Sequence, residues 1–418
     1  MSIPNPFFYG NPVSPNQLIG REKELRRIMG RIVNQGQSTA ITGLPRSGKT
    51  SMLEYLKAPE NQNNYGPLAN RLIFSHIDAV ALGGQYDQAQ FWIQALKPLE
   101  DYTGQTPLLA EAYQTCQQNK FGTFVLERLI AQVKRAELRL VLMVDEFDVL
   151  LHHPVLNNPE FFGGLRSIAS RSQGGLSMVM VITANASLTQ INEETIRFNR
   201  TGSPYFNFLD EVTFGSLLES DIDKLLHQGK TRFSEDDCRF IKEIAGGHPH
   251  LLQVVASLLW DAYENKPVEN PRKRQELVAQ EYYFSVKSGL KNIWESWSEK
   301  TQEVFKSVAL THMKTVWIEQ PLPPYISSWD INVLHRNISR SNQQLRDLEK
   351  QGFVVKDKNF LGNWRVSTGV FLFWVVDLME QEFSDRSGKG SKEPVKEWVL
   401  AIIEVGVAGF TQGLHLMH

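Results

Sequence analysis

Eight residues constrain this chain more than any others: Gly43-Leu44-Pro45-Arg46-Ser47-Gly48-Lys49-Thr50, spelling GxxxxGK[ST]. An apolar run over 38–42 precedes them and a helix-forming run over 51–57 follows. That context predicts a strand, a tight loop and a helix. Glycines let the backbone N–H groups of such a loop wrap phosphate oxygens, and the helix amino terminus adds partial positive charge. Lys49 is then placed to reach the β and γ phosphates and the Thr50 hydroxyl to ligate Mg²⁺. Gly43, Pro45, Arg46, Ser47, Gly48 and the adjoining Ser51 complete the candidate cradle, with ATP or ADP and Mg²⁺ as the expected ligands.

The rest of the amino-terminal half fits this start. Short apolar runs over 38–42, 72–77, 138–144 and 177–183 alternate with helix-period stretches such as 88–102 and 121–135. Parallel strands joined by crossover helices have this pattern. The fold class expected is α/β, a P-loop NTPase with a parallel sheet over residues 1–215, followed by a helical domain and a winged-helix domain. The run Leu140-Val141-Leu142-Met143-Val144 ends in Asp145-Glu146. At a strand's carboxyl end, Asp145 can hold Mg²⁺ and Glu146 can polarise an attacking water. After the next apolar run, Asn185 is a candidate sensor of the γ-phosphate. Lys49, Asp145, Glu146 and Asn185 form the candidate catalytic set, with Thr50 and Asp145 as metal ligands.

Composition narrows the class of protein. With 418 residues, 42% hydrophobic and 22% charged, the chain is long enough for several folded domains. A net charge of −2 gives no overall attraction to nucleic acid or anionic lipid. Cys116 and Cys238 stand far apart without a CxxC pattern, so neither a disulfide framework nor a zinc site is expected. No secretion signal is visible at the amino terminus, and a cytoplasmic location is expected.

Beyond residue 215 the patterning changes. Helical periodicity over 219–230, 234–245, 249–264 and 272–288 predicts a helical lid domain at 216–290. Helices over 295–310, 330–338 and 341–351, then extended runs over 353–356 and 364–367, predict a winged helix within 291–383. The apolar helix expected over 369–383 closes that domain's core. Residues 384–394 are rich in Ser, Gly and Lys and read as a flexible tether. The apolar, Gly-containing tail at 395–418 has three open readings: insertion in a membrane, self-assembly with other copies, or packing on the body.

Together, Ile19-Gly20-Arg21-Glu22 before the loop, Asp145-Glu146-Phe147-Asp148 after it, Ser203-Pro204, and Gly246-Gly247-His248-Pro249 resemble the AAA-like and STAND ATPases. The resemblance covers about residues 5–290. It implies that Ile19, Gly20 and Arg21 lie against the adenine and that the turn carrying His248 and Pro249 approaches the nucleotide. It also implies a switch that ADP holds closed and ATP opens for homo-oligomerisation, with a protein partner for trigger or output and a role in bacterial antiviral defence. ATPase turnover is expected to be slow, because no arginine stands out as a finger. The second reading is a DNA-associated AAA+ ATPase whose winged helix binds DNA through Arg336, Arg340, Arg346 and Lys350. DNA is the less favoured partner, since Asp347 and Glu349 offset those charges.

Overall fold

A computed structural model describes residues 4–183, 186–198, 204–265, 270–316 and 323–387. The chain divides into two compact units. One is Pro12–Phe214; the other combines the chain from Gly215 onward with the segment before Pro12.

The first unit is built on a five-stranded sheet. Its strands are β1 (Ser38–Gly43), β2 (Leu72–Asp78), β3 (Arg139–Asp145), β4 (Leu176–Val181) and β5 (Leu209–Phe214), in the order β2-β3-β4-β1-β5. All pairings are parallel, so helical crossovers must cover the faces. Alternation along the strands shows how. Leu140, Leu142, Val144, Met178 and Met180 turn to one face, where they pack with Phe91, Trp92, Leu126, Leu129, Phe161 and Phe162. Val141, Met143, Val179 and Val181 turn to the other, against Ile28, Ile32, Met52, Leu53 and Leu56. The covering helices include Gln88–Leu96, Thr123–Arg135 and Pro159–Arg171 on the first face, and Glu22–Gly30 and Lys49–Lys57 on the second.

Four strands were legible as apolar runs; the fifth was not. The strand over Leu209–Phe214 alternates Asp210, Glu211 and Thr213 with Leu209, Val212 and Phe214, and it is not among the apolar runs read as strands. It is an edge strand paired along its whole length with β1, which is why polar side chains are tolerated there. The helix expected over 88–102 ends at Leu96 and continues as a 3₁₀ helix, Lys97–Gln105, with Pro98 near its start. Proline has no N–H for the α-helical ladder.

In the second unit the amino-terminal segment is anchored on helix Pro249–Asn265. Asn5 Nδ2 donates to Ser257 Oγ and Asp261 Oδ1, both at 2.9 Å, and Phe7 stacks on Phe233 at 5.4 Å with its edge to Trp260. This segment was expected to belong with the sheet, but its anchors are aromatic side chains supplied after residue 215. The helix expected to end at 288 is Pro271–Glu295, and it runs through the boundary placed at 290. Its last turn brings Trp294 into a cluster with Trp297, Phe305, Phe371 and Trp374. The segments before and after that boundary therefore share one core. Helices Glu299–Val316, Ile331–Ser339 and Asn342–Gln351 precede an antiparallel ribbon of β6 (Val354–Lys356) and β7 (Trp364–Val366). Helix Gly369–Ser387 closes this core through Phe371, Trp374 and Val375, all buried.

Gly246 and Gly247 have a packing reason of their own. A Cβ on Gly246, whose φ is +61, would meet Thr368 Oγ1 at 2.6 Å, and one on Gly247 would meet Ser216 Cβ at 2.7 Å. Among the described residues, no helix is long and apolar enough to cross a membrane. The tether and tail at 388–418 lie outside the described residues.

Candidate nucleotide site

The order of the strands creates the site. β4 lies between β1 and β3, so the loop leaving β1 and the acids ending β3 are separated by one strand, about 10 Å at ordinary spacing. Both open on the carboxyl edge of the sheet, where ligands of open α/β sheets bind.

The loop follows from its glycines. Gly43 has φ +134, and a Cβ there would lie 2.4 Å from the Phe214 carbonyl oxygen across the β1–β5 pair. Gly48 has φ +94 and stands just before the helix that begins at Lys49. Arg46, exposed at the loop's tip, also takes a left-handed conformation with φ +60. The Lys49 ammonium is buried and donates to the carbonyls of Gly43 and Leu44, each at 2.8 Å. Burial lowers its pKa to about 8, while the charges of Asp148, Asp145 and Glu146 pull the other way. Ser47 Oγ is buried without a protein partner, an orphan that a phosphate oxygen would satisfy. Thr50 sits half-buried in the first helical turn.

Asp145 is buried at the end of β3, in register with Asp78 on β2. Its Oδ1 accepts the Glu146 N–H at 3.0 Å. Glu146 adopts a left-handed conformation, φ 52, which costs a non-glycine residue roughly 1–3 kcal/mol and collects at functional sites. Burial, then the charges of Asp145, Asp78 and Asp148, raise the pKa of its carboxyl, with Lys49 opposing. A carboxylate whose proton affinity is raised in this way is a better general base.

Arg21 joins the site in a manner not foreseen. It is buried in a left-handed conformation, donates from Nη2 to the Ser47 carbonyl at 3.2 Å, and lies over the Phe214 ring at 4.9 Å. Its guanidinium braces the loop from within the protein. Ile19 and Gly20 precede it, half-buried. The Ser51 hydroxyl accepts the Val13 N–H at 3.2 Å. His248 and Pro249 belong to the second unit, where His248 is buried before helix Pro249–Asn265. Asn185 lies outside the described residues, as does Ser203. Arg171 reaches Glu127 at 3.3 Å, and Arg200 lies outside the described residues.

Asp148, quoted in the sequence without a role, meets Thr183 at this edge. Asp148 Oδ1 accepts both the Thr183 N–H, at 2.8 Å, and its hydroxyl, at 2.9 Å. The signal available was an acid three residues after Asp145. A cleft of about 700 Å³ lined by Glu54, Lys57, Asn70, Phe74 and Tyr102 opens near the start of β2. That is the opposite end of the strand from Asp78, so it is distinct from the phosphate edge.

The donor set fits a magnesium nucleotide: Thr50 and Asp145 would hold the metal, and the loop amides with Lys49 would hold the phosphates. The nucleotide would supply the labile phosphoryl group. Lys49 would stabilise charge on it, and Glu146 would take a proton from water.

The family comparison agrees with this reading. The sequence matches the AAA-like domain family over residues 12–269. In three dimensions the chain resembles the Walker-type ATPase of Pyrococcus abyssi, with 15% identity, a TM-score of 0.50, and 88% of this chain and 99% of that one covered. It also aligns with the ORC2 protein of Aeropyrum pernix, solved in ADPNP-ADP complexes, with 11% identity, a TM-score of 0.47, and coverage of 90% and 98%. No curated protein matches the sequence. The family match spans more than half of the chain and includes the loop, the paired acids and the strand order that brings them to one edge, so this protein belongs to the AAA-like family of P-loop ATPases.

Proposed function

We propose that the protein is an ATP-controlled switch, binding Mg²⁺–nucleotide on its first unit and hydrolysing ATP slowly to reset itself. The observation that carries this reading is the buried Lys49 ammonium on the same sheet edge as Asp145 and Glu146. Lys49 would hold the γ-phosphate, with Mg²⁺ on Asp145 and the attacking water on Glu146; ADP has no γ-phosphate to complete that set, and such differential contact is what a two-state element needs. Signalling of the STAND type, in which ATP promotes assembly of copies and a partner protein supplies trigger or output, is the form of switch favoured here.

The test is the mass of the protein in solution with ADP and with a non-hydrolysable ATP analogue, for the wild type and Lys49→Ala. Larger assemblies with the analogue alone, lost in the variant, are expected. An unchanged mass in all four samples rejects the switch, and equal nucleotide affinity in the two proteins rejects the site.

A second reading, association with DNA, is favoured by one observation. Arg336, Arg340, Arg346, Lys350, Lys356 and Lys358 are all exposed on the helices and ribbon of the second unit. Arg365 is engaged by Asp357 at 3.1 Å and adds little. Salt-dependent DNA binding that Arg340→Ala with Arg346→Ala removes would establish it.

A further inference from the structure

The turn after β3 is held in place by what it buries. Phe147 is 1% exposed, with Phe206 at 5.1 Å and Phe162 at 6.4 Å, both edge-on. Leu150 and Leu151 are buried beside it, so the 3₁₀ helix Phe147–His152 has little freedom. Asp148 is carried on that turn. Its two bonds to Thr183 join segments 35 residues apart in sequence.

Thr183 occupies a particular level of the sheet. Val181, the last residue of β4, pairs with Ile41, so Thr183 leaves the strand beside the end of β1, where the loop begins at Gly43. Met180 pairs with Val144 on the other side. The chain leaving β4 at Thr183 therefore passes between the phosphate loop and Asp145.

We propose that Asp148 is a positioning residue of the nucleotide site, fixing through Thr183 where the chain emerges from β4 between the phosphate loop and the catalytic acids. This rests on the nucleotide reading above. A carboxylate oxygen accepting an N–H and an O–H from one residue sets both its backbone and its side chain, and does so from a turn that cannot shift without unpacking Phe147. Asp148 touches no reacting atom in this account. Displacement of the β4 exit by about an ångström is the kind of error that lowers turnover on the order of 10²-fold without changing ground-state binding.

The experiment compares steady-state ATP hydrolysis by the full chain with Asp148→Ala, Asp148→Asn, Thr183→Val and the Asp148→Ala/Thr183→Val double variant. Asp148→Ala should lower kcat by roughly ten- to a hundredfold with KM for ATP nearly unchanged. Asp148→Asn should recover most of the loss, because the amide oxygen can accept the same two bonds. Thr183→Val should lower kcat less, having lost only the hydroxyl, and the double variant should be no worse than Asp148→Ala. Wild-type kcat in Asp148→Ala, a loss in Asp148→Asn as large as in Asp148→Ala, or additive losses in the double variant would each overturn the proposal. Should Asp148→Ala not fold, Thr183→Val decides alone: wild-type kcat there also overturns it. Wild-type protein that fails to bind ATP rejects the site itself before any variant is compared.

Discussion

Gly43 and Phe214 face each other across the β1–β5 pair, and any side chain on Gly43 would collide with the Phe214 carbonyl oxygen. The phosphate loop thus begins against the last residue of the strand from which the chain leaves this unit. Gly43→Ala meets both the contact at 2.4 Å and a φ of +134. The backbone conformation alone costs roughly 1–3 kcal/mol. A lower Tm in calorimetry together with lost ATP binding by titration is the expected outcome.

Lys49 should separate binding from stability. Its pKa of about 8 lies below the value of 10.5 for a free lysine, because burial disfavours the charged form. The folded state therefore holds its proton less firmly than the unfolded state. The penalty is fully present below about 8 and is relieved as pH rises towards 10.5. Lys49→Met at pH 7 should lose nucleotide affinity while its Tm stays at or above wild type. A Tm well below wild type would show that the ammonium's bonds to Gly43 and Leu44 outweigh its burial.

Glu146→Gln should keep nucleotide affinity and lose turnover by about 10²–10⁴-fold, the usual share of a general base. With its carboxyl pushed upward by burial and by Asp145, Asp78 and Asp148, activity must rise with pH as that group ionises. The acid limb of kcat/KM should stand above the ordinary carboxylate range in the wild type and be absent from the residual activity of the variant.

Phe7→Ala tests where the amino-terminal segment belongs. Phe7 is 4% exposed and packs on Phe233 and Trp260, so truncation should cost about 3–5 kcal/mol in the unit that contains those rings. Hydrogen exchange should report the loss in helix Pro249–Asn265, with β1 to β5 protected as before.

His312 predicts acid sensitivity in the second unit. It is half-buried and accepts the Val366 N–H on Nδ1 at 3.2 Å; desolvation, then the charge of Arg365, lowers its pKa to about 3. Between about 3 and 6.5 the unfolded chain binds a proton that the folded protein does not. Stability is therefore lost as pH falls through that window, by at most about 1.4 kcal/mol per pH unit from this group. His312→Asn keeps an acceptor for Val366 and cannot titrate there. Its denaturation midpoint should depend less on pH below 6.5 than that of the wild type, a value taken from the ordinary histidine.

Local chemistry made most of the first unit readable. Gly43 and Gly48 mark the loop because few residues tolerate those φ values, and the run ending in Asp145 marks a strand because parallel strands are buried on both faces. What escaped was set by long-range contact. The strand Leu209–Phe214 alternates like an exposed ribbon and is recruited only by β1. The contacts of Arg21 with Ser47 and Phe214 could not be read from the resemblance that set it against a ligand's base. Asp148 gained a reason only when β4 carried Thr183 alongside. In the second unit, sequence periodicity located the helices, but a boundary at 290 could not foresee that Trp294 and Trp374 would meet.

The anchoring of Asn5 and Phe7 also sets an order of assembly. The first unit is, topologically, an insertion in the second, which combines the segment before Pro12 with the chain from Gly215 onward. On the ribosome, the amino-terminal strap must wait for the whole parallel sheet to be made before Phe233 and Trp260 exist to receive it. The sheet can close in the meantime, since β5 ends at Phe214. The loop, Asp145 and Glu146 all precede Gly215 in the chain, so a nucleotide held there would stabilise the nascent first unit before the second is made.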